Sequence, residues 1–174
     1  MTAALAVRPA TPDDEPLFRT FRCSRGVPYE DEVERFVNTA LAEWSFAPLA
    51  QVDDPRTLLV VEDGPAERIV AIAAHERLTA LADDDGTPLD GTKVEVVAVA
   101  AADRGTRVDG QRLGDLAFAA VLDDAATRPY PRGPWVAGVV SDDNKASLAL
   151  CDRWNLSVQL PAGDGYTWRI GSLG

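Results

Sequence analysis

Apolar and polar positions alternate in two periods along the chain, and the periods predict a mixed set of elements. LAVRPA, residues 5–10, reads as a short first strand. Thr11 is a good helix cap and Pro12 suits a first helical position, so a helix follows with Leu17, Phe18 and Phe21 on its apolar side. Pro28 breaks the chain. From Glu30 to Trp44, apolar residues fall at Val33, Phe36, Val37, Ala40, Leu41 and Trp44, which is helical spacing with an acidic remaining face. Pro48 and Pro55 close that region. TLLVVED (57–63) and RIVAIAAHERL (68–78) read as strands, separated by a GPAE turn. A polar Gly/Pro-rich connection, 81–91, leads to KVEVVAVAAA (93–102), whose small and β-branched residues fit a central buried strand.

The stretch DRGTRVDGQRLGD, Asp103 to Asp115, comes next. Leu113, Leu116, Ala117, Ala120 and Val121 then mark an amphipathic helix to about Ala126. RPYPRGP (128–134) is a linker, and WVAGVV (135–140) a strand. Asp142, Asp143 or Asn144 can cap a further helix, whose buried stripe is Ser147, Leu150, Cys151 and Trp154. YTWRI (166–170) reads as a last strand. Consecutive middle strands imply antiparallel hairpins, while the strand–helix–strand unit from 93 to 140 implies a parallel pair. The expectation is one domain over 1–174, mixed α/β (α+β), with a mostly antiparallel sheet of six or seven strands and four helices. A doubly wound dinucleotide fold would alternate strands and helices throughout, and this chain does not.

Composition narrows the class. With 174 residues and 46% apolar content, the chain can bury a single core. Its apolar runs are too short to span a membrane, and it begins without the basic-then-apolar pattern of a secretory signal. Cys23 and Cys151 are therefore expected as thiols in a reducing cytoplasm. The usage of Ala, Arg, Asp and Pro resembles that of a GC-rich bacterial genome. Seventeen basic against 28 acidic residues give a net charge of −11, which argues against nucleic acid as a partner. An acidic surface can steer a cation, or serve solubility alone.

The loop 103–115 follows a buried strand and precedes a helix, the position of an anion-binding turn. Taken alone it reads equally as a charged corner, because its glycines fit no common phosphate motif. Two further features change this. The order of elements, with the VRPATPDDEP opening, and the segment VVSDDNKASLALCDRWNL (139–156) together resemble the GNAT superfamily of acyl-CoA-dependent N-acyltransferases, over roughly Leu5 to Ile170. That segment is similar to the family's V-x-x-x-N-x-x-[AS]-x-x-L-Y-x-x-x-G-F, with Asn144 on the cofactor-contacting asparagine. Asp103–Asp115 stands where the family has Q/R-x-x-G-x-G/A, whose amides bind the CoA pyrophosphate.

Two registers are open. One begins at Arg104-Gly105, but Arg107 and Val108 occupy the place of its glycines. The other uses DGQRLG, with Asp109 where Gln or Arg is usual. A merged reading ends the strand at Ala100 and starts the helix near Gly110. Gln111, Arg112, Leu113 and Gly114 then offer amides to the pyrophosphate, and the Arg112 guanidinium adds a cation.

The resemblance implies acetyl-CoA as cofactor and direct attack by a primary amine of a small molecule or peptide. It implies a bulge in the strand at 93–102 and an oxyanion met by the amide of Val97 or Val99. Glu95, a lone acid in that strand, is the candidate base, with an ion pair or a solvent-facing side chain as the alternative. Cys151 stands where the family often has a tyrosine acid. A thiol near pKa ~8.5 could donate a proton, yet its place on the apolar stripe also fits a plain buried cysteine. Tyr166 or water could supply the acid instead.

His75, the only histidine, reads as structural. ADDDG (82–86) is a turn without the ligand spacing of a Ca²⁺ loop, and nothing suggests zinc or another metal. The tryptophans read as core. The acceptor site is expected between residues 12–46 and the loops 79–92 and 128–134, where Glu30–Glu34 and Asp83–Asp85 favour a cation. A homodimer is compatible with all of this. The altered loop and absent tyrosine leave two alternatives: an acyl-CoA-binding or regulatory module without catalysis, or a partner-binding protein that no longer binds CoA.

Overall fold

In the computed structural model, which describes residues 4–46, 56–62, 67–127 and 133–172, the two hydrophobic periods resolve into a main sheet with helices on both faces and a separate two-stranded hairpin. The chain runs β1 (Leu5–Pro9), a 3₁₀ turn (Pro12–Asp14), α1 (Glu15–Thr20), α2 (Pro28–Phe36), a π-helical turn (Val37–Leu41) and α3 (Ala42–Phe46). Then come β2 (Arg56–Glu62), β3 (Arg68–Leu78), β4 (Gly91–Val99), a 3₁₀ turn (Ala101–Asp103), β5 (Arg107–Val108), β6 (Gln111–Arg112) and α4 (Leu113–Ala126). β7 (Trp135–Ser141), α5 (Lys145–Arg153), β8 (Val158–Gly163) and β9 (Tyr166–Ser172) complete it. The seven-stranded sheet has the order β1-β2-β3-β4-β7-β9-β8. Among the described residues, only β4 and β7 pair in parallel, and every other neighbour in this sheet is antiparallel.

Two cores follow from the strand alternation. Phe18, Phe21, Val37 and Leu41 of α1–α3 pack on Leu59, Ile72, Ala74, Val96 and Ala98. On the opposite face, Leu113, Ala117 and Val121 of α4 pack on Leu58, Val60, Ala71 and Ala73. Phe118 carries that layer onto Val136, Val140 and the α5 residues Leu150 and Cys151. His75 is fully buried, with Nε2 3.0 Å from Asp124 Oδ2, so it ties the sheet to α4.

Several boundaries differ from the sequence reading. Pro28 opens α2 at its first position instead of only breaking the chain, because the missing N–H costs nothing there. The helix of Val33–Trp44 is one run interrupted by the π turn. The strand expected to 102 ends at Val99, and the helix expected near Gly110 starts at Leu113. Residues 107–112 instead form a hairpin turned by Asp109 and Gly110, at φ 49° and 84°. Positive φ at both turn residues is the I′ geometry that Asp-Gly favours. β8 has no counterpart in the sequence reading; it is an exposed edge strand containing Pro161, which an edge tolerates. The linker 128–132, and the side chain of Trp44, lie outside the described residues.

Candidate functional site

The site is built where the parallel pair comes apart. β4 and β7 are in register only over Gly91–Val94 and Trp135–Gly138. Their close end depends on Gly91, where a Cβ would lie 1.9 Å from the Trp135 carbonyl oxygen. Beyond Val94 a register shift in the β3–β4 ladder leaves Glu95 without a partner, since Ala74 faces Val96 and His75 faces Val94. The extra residue is a bulge, which bends a strand and re-aims its side chains. From there β4 leaves β7, and a wedge opens.

The strand edge lining the wedge carries unused polarity. The Ala100 amide donates to the Val70 carbonyl at 2.9 Å, so even-numbered amides here point toward β3. Alternation then directs the N–H groups of Val97 and Val99 into the wedge. α4 begins beside it: Leu113 and Gly114 are its first two residues, and Arg112 is the cap, with no side-chain acceptor. The opening amides of a helix lack intrahelical partners and carry its positive end.

A cavity of about 230 Å³ occupies this place. Its walls include Val97 and Val99 of β4, Arg104–Thr106 of the loop, Arg112–Gly114 at the start of α4, and Asn144, Ser147 and Arg153 of α5. Of the residues named from sequence, it thus gathers Val97, Val99, Arg104, Arg112, Leu113, Gly114 and Asn144. Gly110 and Gln111 do not line it; they belong to the small hairpin. Asn144 caps α5, its Oδ1 accepting the Ser147 amide at 3.1 Å, which settles the choice among Asp142, Asp143 and Asn144. Arg104 has other work: it donates to Glu30 of α2 and to the Cys23 carbonyl, fastening the loop to the α1–α2 connection.

Glu95 is not in the cavity wall. It sits two residues before Val97, with Lys93 and Glu76, on the face that carries α2. Lys93 Nζ donates to Glu76 at 2.9 Å and pairs with Glu95. Burial pushes the Glu95 carboxyl up to about 7; the nearby Glu76 adds to the rise and Lys93 opposes it. Cys151 packs with Phe118, Val136 and Leu156 behind the cavity, and burial raises its thiol pKa. Cys23 does line the cavity, but burial and the Glu34 carboxylate push its thiol up to about 11. Tyr166 donates its hydroxyl to Glu32 at 2.8 Å, bridging β9 to α2.

The acids of α2 are largely spoken for. Glu34 accepts the amides of Cys23 and Ser24 at 2.8 and 2.9 Å, and Glu30 accepts that of Arg25 at 2.7 Å. Sequence reasoning missed Arg153. It enters the wall from the last turn of α5, where it pairs with Asp115 at 3.0 Å. Asp115 also accepts the Trp154 indole N–H at 3.0 Å. The cavity wall thus holds Arg104, Arg112 and Arg153 alongside the acids Glu30 and Asp103, with Arg104 paired to Glu30 and Arg153 to Asp115. Arg112 beside a helix start suits a phosphate ligand. Among the described residues, no group of His, Cys, Asp and Glu could hold a metal ion, and no helix is long and apolar enough to cross a membrane.

No family model and no curated protein matches the chain in sequence. Solved structures match in shape. A mutant of the AtaT toxin, bound to the C-terminus of the antitoxin AtaR and to acetyl-CoA, is 11% identical with a TM-score of 0.64, covering 97% of this chain and 93% of its own. An acetyltransferase of the GNAT family from Desulfovibrio desulfuricans is 18% identical with a TM-score of 0.65, over 98% and 100% of the two chains. An acetyltransferase from Thermus thermophilus is 18% identical with a TM-score of 0.57, over 99% of each. Over nearly its whole length, the chain has the fold of the GNAT acetyltransferases.

Proposed function

We propose that this chain is an acetyl-CoA-dependent N-acetyltransferase. The observation that carries the reading is the wedge: two β4 amides, a helix start without a side-chain cap and Arg112 meet at one cavity. The bound acetyl-CoA of the AtaT structure supports the same use of the same fold.

When bound, acetyl-CoA supplies a thioester whose carbonyl carbon accepts a neutral amine and releases the CoA thiol. The chain's residues divide the rest of the work. The amides at the start of α4 and the Arg112 and Arg153 guanidiniums hold the pyrophosphate. Asn144 contributes to the wall on the α5 side. The Val97 and Val99 amides orient the carbonyl and meet the negative charge that builds on its oxygen, an interaction strengthened where water is excluded.

Glu95 takes the proton that the ammonium must lose before it attacks. Burial raises this carboxyl to about 7, so it holds a proton more firmly than an ordinary carboxylate and stays within reach of its ionised form near neutrality. The leaving sulfur takes its proton from water, since Cys151 lies in the core. Release of free thiol from acetyl-CoA in the presence of a panel of primary amines tests the reading. Amine-dependent release is expected; binding without release would leave an acyl-CoA-binding module.

A further inference from the structure

The face of the sheet that bears Glu95 is open next to it. Val139 of β7, Trp168 of β9 and Leu160 of β8 stand directly across from one another in the ladder. Val94 pairs with Gly138, so Val139 is the next β7 residue after the strands part, beside Glu95. Val136 and Val140 pack toward α4 and α5, while Ala137 packs with Trp168, Leu78 and Ile170 on the other face. Val139, Trp168 and Leu160 therefore point to the same side as Glu95 and α2. Val139 is 41% exposed and Leu160 42%, among the few large apolar side chains so exposed, and both are in this one row.

The row has ends as well as a floor. On one side Leu81 and Leu89 cover its neighbours Ala137 and Ile170. On the other, the Tyr166–Glu32 hydrogen bond joins β9 to α2. At the inner end stand Glu95 and Glu76, two carboxyls sharing one lysine. Charge there is complementary to an ammonium. Along the floor it is absent, and the α2 carboxylates already have partners: Glu34 accepts backbone amides, Glu30 an amide and Arg104, Asp31 the Ser24 hydroxyl and Glu32 the Tyr166 hydroxyl. Two strand spacings separate Val139 from Leu160, about 10 Å, the length of one arylalkyl group.

We infer that the acceptor is a primary amine on an apolar body, aromatic or branched aliphatic, lying along Val139, Trp168 and Leu160 with its nitrogen at Glu95. A polyamine or aminosugar would leave its further charges over an apolar floor, desolvated and unpaired. This rests on the acetyltransferase reading above, because it takes Glu95 as the inner end of the acceptor site.

Tryptamine and spermidine are the probes, titrated calorimetrically into the full chain saturated with CoA. Tryptamine is expected to bind at least tenfold more tightly than spermidine. Leu160→Ser and Val139→Ser, at exposed positions that the fold does not need filled, should each weaken tryptamine several-fold, leaving CoA affinity and the melting temperature unchanged. Equal or tighter binding of spermidine, absence of tryptamine binding, or unchanged affinity in both variants overturns the inference. Sedimentation of the same proteins adds one further outcome: a wild-type dimer that both variants dissociate would make this face a subunit interface and also overturn it. A chain that binds tryptamine poorly yet binds CoA refutes only the acceptor class. A chain that binds no CoA refutes the reading beneath it, and the inference with it.

Discussion

Trp154 donates its indole N–H to Asp115 at 3.0 Å, across the gap between α5 and α4. The same carboxylate receives Arg153 at 3.0 Å, and the Trp154 ring lies against Phe118 with centroids 5.0 Å apart. One side chain at the third position of α4 thus fixes the helix start against α5, and with it the mouth of the cavity. Asp115→Ala strands a half-buried indole N–H and frees Arg153. The expected loss is about 1–3 kcal/mol of stability, the usual cost of such an unpaired donor. Urea unfolding measures it, and Asp115→Asn should recover part of the loss by still accepting the indole.

Arg112→Glu should weaken acetyl-CoA binding about tenfold or more, the effect of losing one charge-assisted contact to phosphate. The weakening should diminish as salt rises. Affinity equal to wild type at low salt would place the pyrophosphate away from the start of α4.

Acetyl transfer should rise with pH through about 7 as Glu95 ionises. Glu95→Gln should lower the rate by about 10²–10⁴-fold and abolish that limb of the profile. Stability carries the opposite sign. Because the folded-state pKa of Glu95 is raised, folding favours its protonated form. That contribution is complete below the ordinary pKa of 4.5 and is lost as pH rises through about 7. Between pH 5 and pH 8 wild type should therefore lose stability relative to Glu95→Gln, with the Lys93 and Glu76 partners unchanged. Parallel denaturation curves at both pH values check it.

Cys151→Ala should keep most of the acetyl-transfer rate, since burial raises the thiol pKa and Phe118, Val136 and Leu156 surround it. In the native protein the thiol should resist aromatic disulfide reagents and react only on unfolding. A loss of rate at unchanged stability would give it a chemical role.

Much of this architecture is legible along the chain, for reasons particular to certain residues. Val33, Phe36, Val37 and Leu41 keep a helical stripe, and 68–78 and 93–102 are rich enough in β-branched and small residues to read as central strands, the second of which runs over Gly91–Val99. The antiparallel and parallel pairings follow from which strands have helices between them. What escapes lies in relationships between segments. The bulge at Glu95 is a register offset between β3 and β4, and neither strand shows it alone. β8 has no buried face of its own and contains a proline, so its sequence reads as loop. Asp109-Gly110 does carry a local signal, that of a two-residue hairpin, and the hairpin explains a glycine spacing that fits no phosphate motif. Arg153 becomes visible as a cavity residue only once Asp115 has brought α4 and α5 together.

Calorimetric titration of the chain with acetyl-CoA tests the central claim most directly. A single saturable site with one-to-one stoichiometry is predicted, weakened by Arg112→Glu and left unchanged by Leu160→Ser. Absence of binding, or binding indifferent to Arg112, would contradict the assignment of the β4–β7 wedge as the acetyl-CoA site.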